Sequence, residues 1–380
     1  MSIYLDYAAA TPLDPRALDA MRPYFEEKFY NPSSPYAPAV AVRREYEDAK
    51  HRLAVCIGGK CDEVVITAGA TESINLALNT PGHKVISSIE HPAVIENVKR
   101  AEYSMIDPDA DGIVHAEMVA KAIRPDTTAV SIALANNELG TVQPLRAIAN
   151  FIEKERQRRK LAGERTPLYF HSDASQGVGQ IDVHVARLGV DMITINSGKI
   201  YGPKQVGLLW TAPHVRLNAN IVGGGQERGL RSGTENVAGV MGFAAALELA
   251  VEHRNYESKR LGELRDNLQK ELELHFPFMV VSGHKKLRLP GHLHISFPGL
   301  DAERLIFGLE NYGVYVATGS ACAANKGTRS HVLTAIGMPA DLDDGSLRIT
   351  LGRNTSDSDI KNAAQLICQV VDKEKVRVNL

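Results

Sequence analysis

The stretch MITINSGK, residues 192–199, joins a short run of apolar and β-branched residues to a turn that carries a lysine. Similar runs occur before and after it, and segments of helical character separate several of them. These runs are VVIT (64–67), KVISSI (84–89), TAVSIAL (128–134), LYF (168–170) and VGLLW (206–210). Strands that alternate with helices predict right-handed crossovers and a mostly parallel sheet covered on both faces. The predicted fold class is therefore α/β.

Polar side chains that can do chemistry follow five of the predicted strands: Thr71, His91, Asn137, Asp173 and Lys199. In open α/β sheets, ligands bind beyond the carboxyl ends of the strands. The spacing therefore predicts that these five residues lie along one rim of the sheet, where they can share a ligand.

Composition restricts the possible classes of protein. The chain has 380 residues, 44% of them hydrophobic and 23% charged, as in globular proteins, and its net charge of -2 gives no indication of a nucleic acid or membrane partner. No apolar run reaches the ~20 residues that a membrane-spanning helix needs. The first residues, MSIYLDYAAATPLD, lack the basic start and apolar core of a signal peptide, so we expect a cytoplasmic protein.

Four cysteines, Cys56, Cys61, Cys322 and Cys368, are too few for a disulfide framework in a chain of this length, which fits a reducing compartment. Cys56 and Cys61 are separated by four residues and have no second cysteine pair to complete a cluster. Their spacing does not predict a zinc or iron–sulfur site.

Two domains are expected from the length and from a long helical stretch at about 235–275. We expect a large domain over residues 16–255. Residues 1–15 and 256–380 should form a smaller α+β domain.

Two of the motifs each allow a functional and a plain structural interpretation. AGATES (68–73) places Thr71 at a helix start, which favours either an anion site made of free backbone amides or an ordinary N-cap. HSDASQ (171–176) places Asp173 at a strand end. Its carboxylate can keep a pyridinium nitrogen protonated, or it can simply cap a turn.

Lys199 can form a Schiff base with a carbonyl cofactor, although an isolated lysine is usually a surface residue. The shared rim with Asp173 and Thr71 favours the cofactor interpretation. His91 can stack on a cofactor ring and move protons, or it can be a loop residue.

Two loop segments carry further candidates. TGSACAANKG (318–327) surrounds Cys322 with small residues that pack poorly, which predicts a mobile, exposed nucleophile rather than a buried structural thiol. RSGTEN (231–236) follows a glycine-rich stretch. Thr234 can supply a second hydroxyl to a phosphate there, or it can belong to a flexible loop.

Taken together, these motifs resemble the cysteine desulfurase family in order and spacing. They are YLDYAAATP, NPSSPYA (31–37), AGATES, EHPAV (90–94), NNELG (136–140), HSDASQ, GKIYGPK (198–204), GGGQERGLRSGT (223–234), GSAC (319–322) and RITLGR (348–353). The resemblance covers nearly the whole chain. The short spacing from Cys322 to HVLTAIG (331–337) is similar to the NifS/IscS branch.

The resemblance implies fold type I, the aspartate aminotransferase fold, a homodimer, and pyridoxal 5′-phosphate as the cofactor. It implies that Lys199 holds the cofactor and that Asp173 pairs with the ring nitrogen. It further implies that Gln176 bonds the ring hydroxyl, that His91 stacks on the ring and that Asn137 contacts its side.

The same resemblance implies which residues bind the cofactor phosphate and which bind the substrate carboxylate. Ala70 and Thr71 would bind the cofactor phosphate, and Thr234 would reach the phosphate site of the neighbouring subunit. Arg348 would bind the substrate carboxylate with help from Asn31.

The implied reaction takes sulfur from L-cysteine, leaves L-alanine, and forms a persulfide on Cys322. The sulfur would then pass to an iron–sulfur scaffold or a tRNA-thiolation protein. The alternatives are a selenocysteine lyase, another pyridoxal-phosphate lyase or aminotransferase, and a cofactor-poor relative that acts as a binding partner.

One motif departs from the family pattern. The family usually reads Ser-Gly-His-Lys or Ser-Ala-His-Lys at the cofactor lysine, whereas this chain reads Asn196-Ser197-Gly198-Lys199. Asn196 and Gly198 replace the hydroxyl and imidazole that help to bind phosphate in the family. We expect Asn196 and Ser197 to take over part of that contact.

Overall fold

The computed structural model describes residues 2–318 and 329–380. Its strands, in chain order β1 to β12, are Ile3–Tyr4, Val64–Thr67, His83–Ser87, Tyr103–Ile106, Thr127–Ser131, Tyr169–Asp173, Met192–Asn196, Gly207–Thr211, Val280–Val281, His292–Ser296, Val314–Tyr315 and Ser346–Thr350. Seven of these strands form one sheet in the order β2-β8-β7-β6-β5-β3-β4. Every run between residues 64 and 210 that was predicted as a strand is a strand of this sheet, with ends shifted by up to three residues.

The large sheet is mostly parallel, which confirms the predicted fold class. The pairs β3–β4, β3–β5, β5–β6 and β6–β7 are parallel, whereas β8 runs antiparallel to both β7 and β2. Because β8 reverses direction between them, β2 and β7 point the same way. The carboxyl ends of β2, β7, β6, β5 and β3 therefore meet at one edge of the sheet.

One strand of the large sheet, Tyr103–Ile106, was not predicted. It lies at the edge of the sheet and pairs only with β3 among the described strands. Tyr103 and Met105 are exposed, so this strand lacks the continuous apolar run that marks the central strands.

Helices cover both faces of the sheet. Successive side chains of a strand point to opposite faces, so one strand contributes to the hydrophobic clusters on both sides. Ile193 and Ile195 enter the main hydrophobic cluster, and Met192 faces a separate cluster on the other side. The described helices are Pro15–Met21, Pro23–Glu26, Ala37–Cys56, Ala70–Ala77, Pro92–Val98, Ala116–Ala122, Leu145–Leu161, Val185–Leu188, Val237–His275, Ala302–Glu310, His331–Ala335, Ala340–Asp344 and Asp357–Val378. None of them is long and apolar enough to cross a membrane.

The helix Val237–His275 connects two hydrophobic clusters. The Asn236 side chain accepts a hydrogen bond from the Gly239 amide at its start. Its first half packs in the main cluster, and Leu264, Leu268 and other residues of its second half pack in a cluster beneath the small sheet β12-β10-β9. The two clusters suit a two-domain chain, and the boundaries at residues 15 and 255 stay a prediction.

The small sheet has one apolar and one polar face. Leu293 and Ile295 of β10 and Leu347 and Ile349 of β12 enter the second cluster. The opposite face consists of polar residues that are nevertheless buried: His292, His294 and Ser296 of β10 pair with Thr350, Arg348 and Ser346 of β12. This arrangement buries Arg348 among polar neighbours.

Candidate active site

The lysine turn follows β7 and lies beneath the N-terminal segment. Residues Ser197–Lys199 form a single 3₁₀ turn, in which Asn196 Oδ1 accepts a hydrogen bond from the Gly198 amide (3.2 Å). Lys199 Nζ donates to the carbonyl oxygens of Ala8 (2.6 Å) and Ala9 (2.7 Å). The chain's first residues thus fix the amine of Lys199 at the edge of the sheet.

Asp173 ends β6, the strand next to β7. Its Oδ1 accepts hydrogen bonds from the Ser175 amide (2.9 Å) and hydroxyl (2.6 Å). Gln176, which directly follows Ser175, donates through Nε2 to the Ala8 carbonyl (3.1 Å), the same oxygen that Lys199 contacts. Asp173 and Lys199 therefore lie on neighbouring strand ends, and Gln176 shares a partner with the lysine.

A neutral histidine fixes the strand that bears Asp173. His171 is fully buried, and its ring nitrogens pair with the hydroxyls of Ser131 (2.8 Å) and Thr194 (2.9 Å). Burial lowers the pKa of His171 to about 4, so the ring carries no charge near neutral pH. Its hydrogen bonds link β5, β6 and β7 directly behind the site.

His91 caps the helix Pro92–Val98, and its Nδ1 accepts a hydrogen bond from the Ala93 amide (3.1 Å). The proton of the neutral ring is therefore on Nε2. Desolvation lowers the pKa of His91, while the nearby Asp173 carboxylate opposes that shift. The geometry leaves a neutral imidazole with an Nε2–H donor close to Asp173, Lys199 and His331.

Ala70 and Thr71 begin the helix Ala70–Ala77, with Gly69 as its N-cap. Gly69 has a φ of 137°, a backbone conformation that favours glycine. An open cleft of about 710 Å³ extends from this helix start and is also lined by Asn196, Gly198 and Lys199. Exposed amides at a helix start and the Thr71 hydroxyl suit an anion at this end of the cleft.

Arg348 lies on the buried polar face of the small sheet. Its guanidinium donates to Asp6 Oδ1 (2.8 Å) and to the Asn137 carbonyl (3.3 Å), and its Nε has no partner among the described residues. His292 and His294 on the same face are fully buried, which lowers the pKa of each to about 3, so both are neutral. A carboxylate that reached this face would find Arg348 as its cation.

Of the predicted residues, only Ala70, Thr71, Asn196 and Lys199 line the cleft; those that do not line it within the described part of the chain are Asn31, His91, Asn137, Asp173, Gln176, Ser197, Thr234 and Arg348. Ser197 is fully buried, and its Oγ is packed so tightly against Gly202 that any side chain there would collide with it. The expectation that Ser197 contacts the phosphate is therefore not supported by its position. Asn31 and Thr234 are exposed. The described contacts of Asn31 are local to its turn, where its Oδ1 accepts a hydrogen bond from the Ser33 amide.

Cys322 lies outside the described residues, but the chain on both sides of that segment contacts the site. Ala317 exchanges two backbone hydrogen bonds with Arg348 (2.7 and 3.2 Å). Ser330 Oγ donates to Glu138 Oε2 (2.6 Å), and His331 Nε2 bonds the Glu90 carbonyl (3.0 Å).

The acidic residues of the site were not among the predicted residues, although each lies in one of the motifs given above. Asp6 is in YLDYAAATP, Glu90 in EHPAV and Glu138 in NNELG. Burial raises the pKa of Glu90 and of Glu138 to about 8, so both are largely protonated near neutral pH. The sequence of a motif does not show whether its acidic residue is buried, which is why these residues were not singled out.

The residues that line the cleft, together with Asp173 on the neighbouring strand end, fit pyridoxal phosphate by their chemistry. A helix start and a hydroxyl suit its phosphate, and Lys199 supplies an amine for its aldehyde. Asp173 has a second oxygen, Oδ2, that makes no hydrogen bond within the described part of the chain and can face a protonated ring nitrogen. The cleft's volume lies within the range usual for small-molecule sites.

Comparison with known proteins points in the same direction. Residues 3–363 match the model of the family described as aminotransferase class-V. The chain is 39% identical to the cysteine desulfurase IscS of Dictyoglomus turgidum over 98% of its length and 95% of that protein. It is 38% identical to cysteine desulfurase IscS 1 of Archaeoglobus fulgidus, over 97% of each chain. A solved NifS-like protein superposes with a TM-score of 0.90 at 31% identity, covering 98% of this chain and all of the other.

Proposed function

The chain belongs to the aminotransferase class-V family and, within it, to the cysteine desulfurases, and we propose that it moves the sulfur of L-cysteine onto Cys322. As a member, it is a pyridoxal-phosphate-dependent enzyme. One observation carries the assignment of its residues: Lys199, Asp173 and the helix start at Ala70–Thr71 follow strands that end at the same edge of one sheet.

We assign Lys199 Nζ to hold the cofactor, Asp173 to its ring nitrogen, Gln176 to its ring hydroxyl, and Ala70 with Thr71 to its phosphate. Bound pyridoxal phosphate supplies an electron sink for the pair left behind when a proton leaves Cα of the substrate. The hydrogen bonds of Ser175 to Asp173 Oδ1 hold that carboxylate in one orientation, which supports its role at the ring.

Proton transfer is assigned to two side chains of the rim. Lys199 Nζ takes the Cα proton of the substrate, because Lys199 lines the cleft and its amine can act as a general base. We assign His91 to the face of the ring and Asn137 to its side, where the Nε2–H of the neutral His91 imidazole would be a proton donor.

Arg348 is assigned to the carboxylate of L-cysteine. Its burial favours this role, since a guanidinium with few water contacts binds a carboxylate strongly. The contact with the Asn137 carbonyl keeps it beside the rim. Asn31 as a second carboxylate contact rests on the resemblance alone.

The sulfur step balances in bonds and protons. The thiolate of Cys322 attacks the sulfur of the substrate, and an S–S bond forms as the substrate's Cβ–S bond breaks. A proton ends on Cβ, and the proton that Lys199 took from Cα is returned to Cα. The products are L-alanine and a persulfide on Cys322. We propose that the persulfide sulfur then passes to an acceptor protein, either an iron–sulfur scaffold or a protein of tRNA thiolation.

We further propose a homodimer in the cytoplasm. Thr234 is exposed and does not line the cleft of its own chain, which supports a contact with the phosphate site of a second subunit. Cys56, Cys61 and Cys368 are unpaired thiols, as suits a reducing compartment.

The other interpretations have less support. The curated relatives named above are cysteine desulfurases, not selenocysteine lyases. A plain aminotransferase needs no thiol such as Cys322. A cofactor-poor binding partner has no need of Lys199 and Asp173 on adjoining strand ends.

The deciding experiment measures alanine and sulfide from L-cysteine, with the visible absorbance of the purified protein recorded alongside. Wild type should be yellow with bound cofactor and should form both products in the presence of a reductant. Cys322→Ser should keep the colour and still change it with L-cysteine, yet release no sulfide. The matched control is Cys368→Ser, in the last helix, which should behave as wild type. Normal sulfide release by Cys322→Ser would remove Cys322 from the reaction.

A further inference from the structure

Two cations besides Lys199 line the cleft, namely Arg100 and Lys204. Both are exposed, and neither forms an ion pair with any residue in the described part of the chain. The one acidic residue of the lining, Glu72, is already engaged. Its carboxylate accepts hydrogen bonds from Arg231 Nε (2.9 Å) and from the Ala68 amide (2.8 Å).

The phosphate end of the cleft otherwise lacks charge. The helix start contributes about half a unit charge, and the Thr71 hydroxyl is neutral. Asn196 is neutral too, and its Oδ1 is occupied by the Gly198 amide. Ser197 does not line the cleft, and its Oγ is packed against Gly202. A phosphate that carries nearly two negative charges at neutral pH needs a full cation beside these groups.

The side chain of Lys204 lies against the lysine turn, Ser197–Lys199. A Cβ built on Gly198 would lie 3.5 Å from Lys204 Cγ and 3.6 Å from Asn196 Oδ1. The aliphatic part of Lys204 therefore lies next to Gly198 of the lysine turn, and both residues line the cleft.

The backbone that carries Lys204 is held in an unusual conformation. Tyr201 and Gln205 have φ values of 64° and 61°, in the left-handed region that residues other than glycine rarely adopt. The Tyr201 amide donates to Thr11 Oγ1 (2.8 Å), which ties the turn to the N-terminal segment. Such conformations persist where the surrounding structure fixes them, and they are common at functional sites.

We propose that the Lys204 ammonium pairs with the phosphate of pyridoxal phosphate and supplies the charge that Asn196 and Gly198 do not. This inference rests on the cofactor site of the proposed function. It predicts a loss of affinity that is specific to the phosphate, because Lys204 contacts no other part of the cofactor in this assignment.

The test compares two ligands that differ only in the phosphate. Cofactor-free protein is titrated with pyridoxal phosphate and with pyridoxal, and binding is followed by absorbance. Lys204→Met should raise the Kd for pyridoxal phosphate about tenfold, as the loss of one charge-assisted contact does. The Kd for pyridoxal should stay within about twofold of wild type. Lys121→Met removes an exposed lysine from another helix end and should change neither value.

Each other result has a distinct meaning. Equal affinity of Lys204→Met and wild type for pyridoxal phosphate would overturn the inference, and so would an equal loss for both ligands, which would indicate a structural role. A phosphate-specific loss in Arg100→Met but not in Lys204→Met would assign the contact to Arg100 instead. Failure of wild type to bind pyridoxal phosphate would contradict the proposed function itself.

A second variant tests the same contact by replacement. Gly198 does not have a positive φ, and a Cβ there meets its neighbours at ordinary contact distances, so a side chain fits. Adding Gly198→His to Lys204→Met should recover most of the lost affinity for pyridoxal phosphate and leave pyridoxal unchanged. No recovery in a folded double variant would show that this position does not face the phosphate, and would overturn the geometry on which the inference depends.

Discussion

The guanidinium of Arg348 and the carboxylate of Asp6, 342 residues apart in the chain, form an ion pair of 2.8 Å in which both side chains are largely buried. The N-terminal segment that bears Asp6 also supplies the carbonyls of Ala8 and Ala9 that bind Lys199. One short segment therefore orients the proposed substrate cation and the proposed cofactor lysine.

Asp6→Asn should weaken the positioning of Arg348 without touching the reacting atoms. We expect the KM for L-cysteine to rise about tenfold while kcat stays within about twofold, because the lost contact orients a binding group. The free energy of unfolding should fall by about 1–3 kcal/mol, as expected when a charged hydrogen bond is lost. Steady-state kinetics and urea unfolding measure both quantities. Asp19→Asn, in an exposed ion pair with Arg22, serves as the control, and an unchanged KM in Asp6→Asn would separate Asp6 from substrate binding.

Lys199 should be required for the cofactor and also contribute to the N-terminal anchor. Lys199→Ala should lose the visible absorbance of bound cofactor and should lower the melting temperature of the cofactor-free protein, because both hydrogen bonds to the carbonyls of Ala8 and Ala9 are lost. Lys199→Arg should also lose the absorbance but keep more of the stability, since it retains a cationic donor. Visible absorbance that persists in both variants would place the cofactor attachment elsewhere.

Glu138 gives a pH dependence of stability with a defined sign. A glutamate ionises near pH 4.5 in the unfolded chain, whereas burial raises the pKa of Glu138 to about 8 in the folded protein. Between these values the folded state binds more protons, so this group's contribution to stability is full below about pH 4.5 and is lost as the pH rises to about 8. Glu138→Gln should therefore lose less stability than wild type between pH 6.5 and 8.

The difference in slope for Glu138→Gln should be at most about 1.4 kcal/mol per pH unit. Urea unfolding at several pH values in this range measures it, and the buried histidines cancel in the difference because they are the same in both proteins. Glu117→Gln, at an exposed site, is the control and should run parallel to wild type. A Glu138→Gln slope parallel to wild type would mean that the buried carboxyl ionises normally.

Lys50 and Glu227 form a buried ion pair (3.0 Å) that fixes the segment leading to Thr234. Glu227 also accepts hydrogen bonds from Tyr46 Oη (2.6 Å) and the Ile66 amide (2.8 Å). Lys50→Met leaves this carboxylate without its cation, so the free energy of unfolding should fall by about 3–5 kcal/mol.

Chemical denaturation tests this pair against an exposed one. Lys28→Met breaks a half-exposed pair with Glu45 and should cost about 0–1 kcal/mol. Adding Glu227→Gln to Lys50→Met should restore part of the stability, because the uncompensated charge is removed. Equal losses for Lys50→Met and Lys28→Met would show that the buried pair contributes no more than a surface pair.

The sequence predicted the sheet well because its central strands are buried on both faces and so appear as continuous apolar runs. It failed for Tyr103–Ile106, an edge strand with exposed Tyr103 and Met105. The phosphate contact expected of Ser197 depends on the direction of its side chain, which a linear sequence does not give. In the fold, its hydroxyl lies against Gly202.

By itself, the sequence determined the fold class, the family, and the residues along the rim, because strand ends and short motifs are local in the chain. Only the tertiary structure decided which charges meet. Asp6 reaches Arg348, Glu138 is buried against Ser330, and Lys204 lies next to Gly198. Burial and long-range pairing depend on how distant segments pack, and they set the pKa values and the charge of the site, which no local pattern encodes.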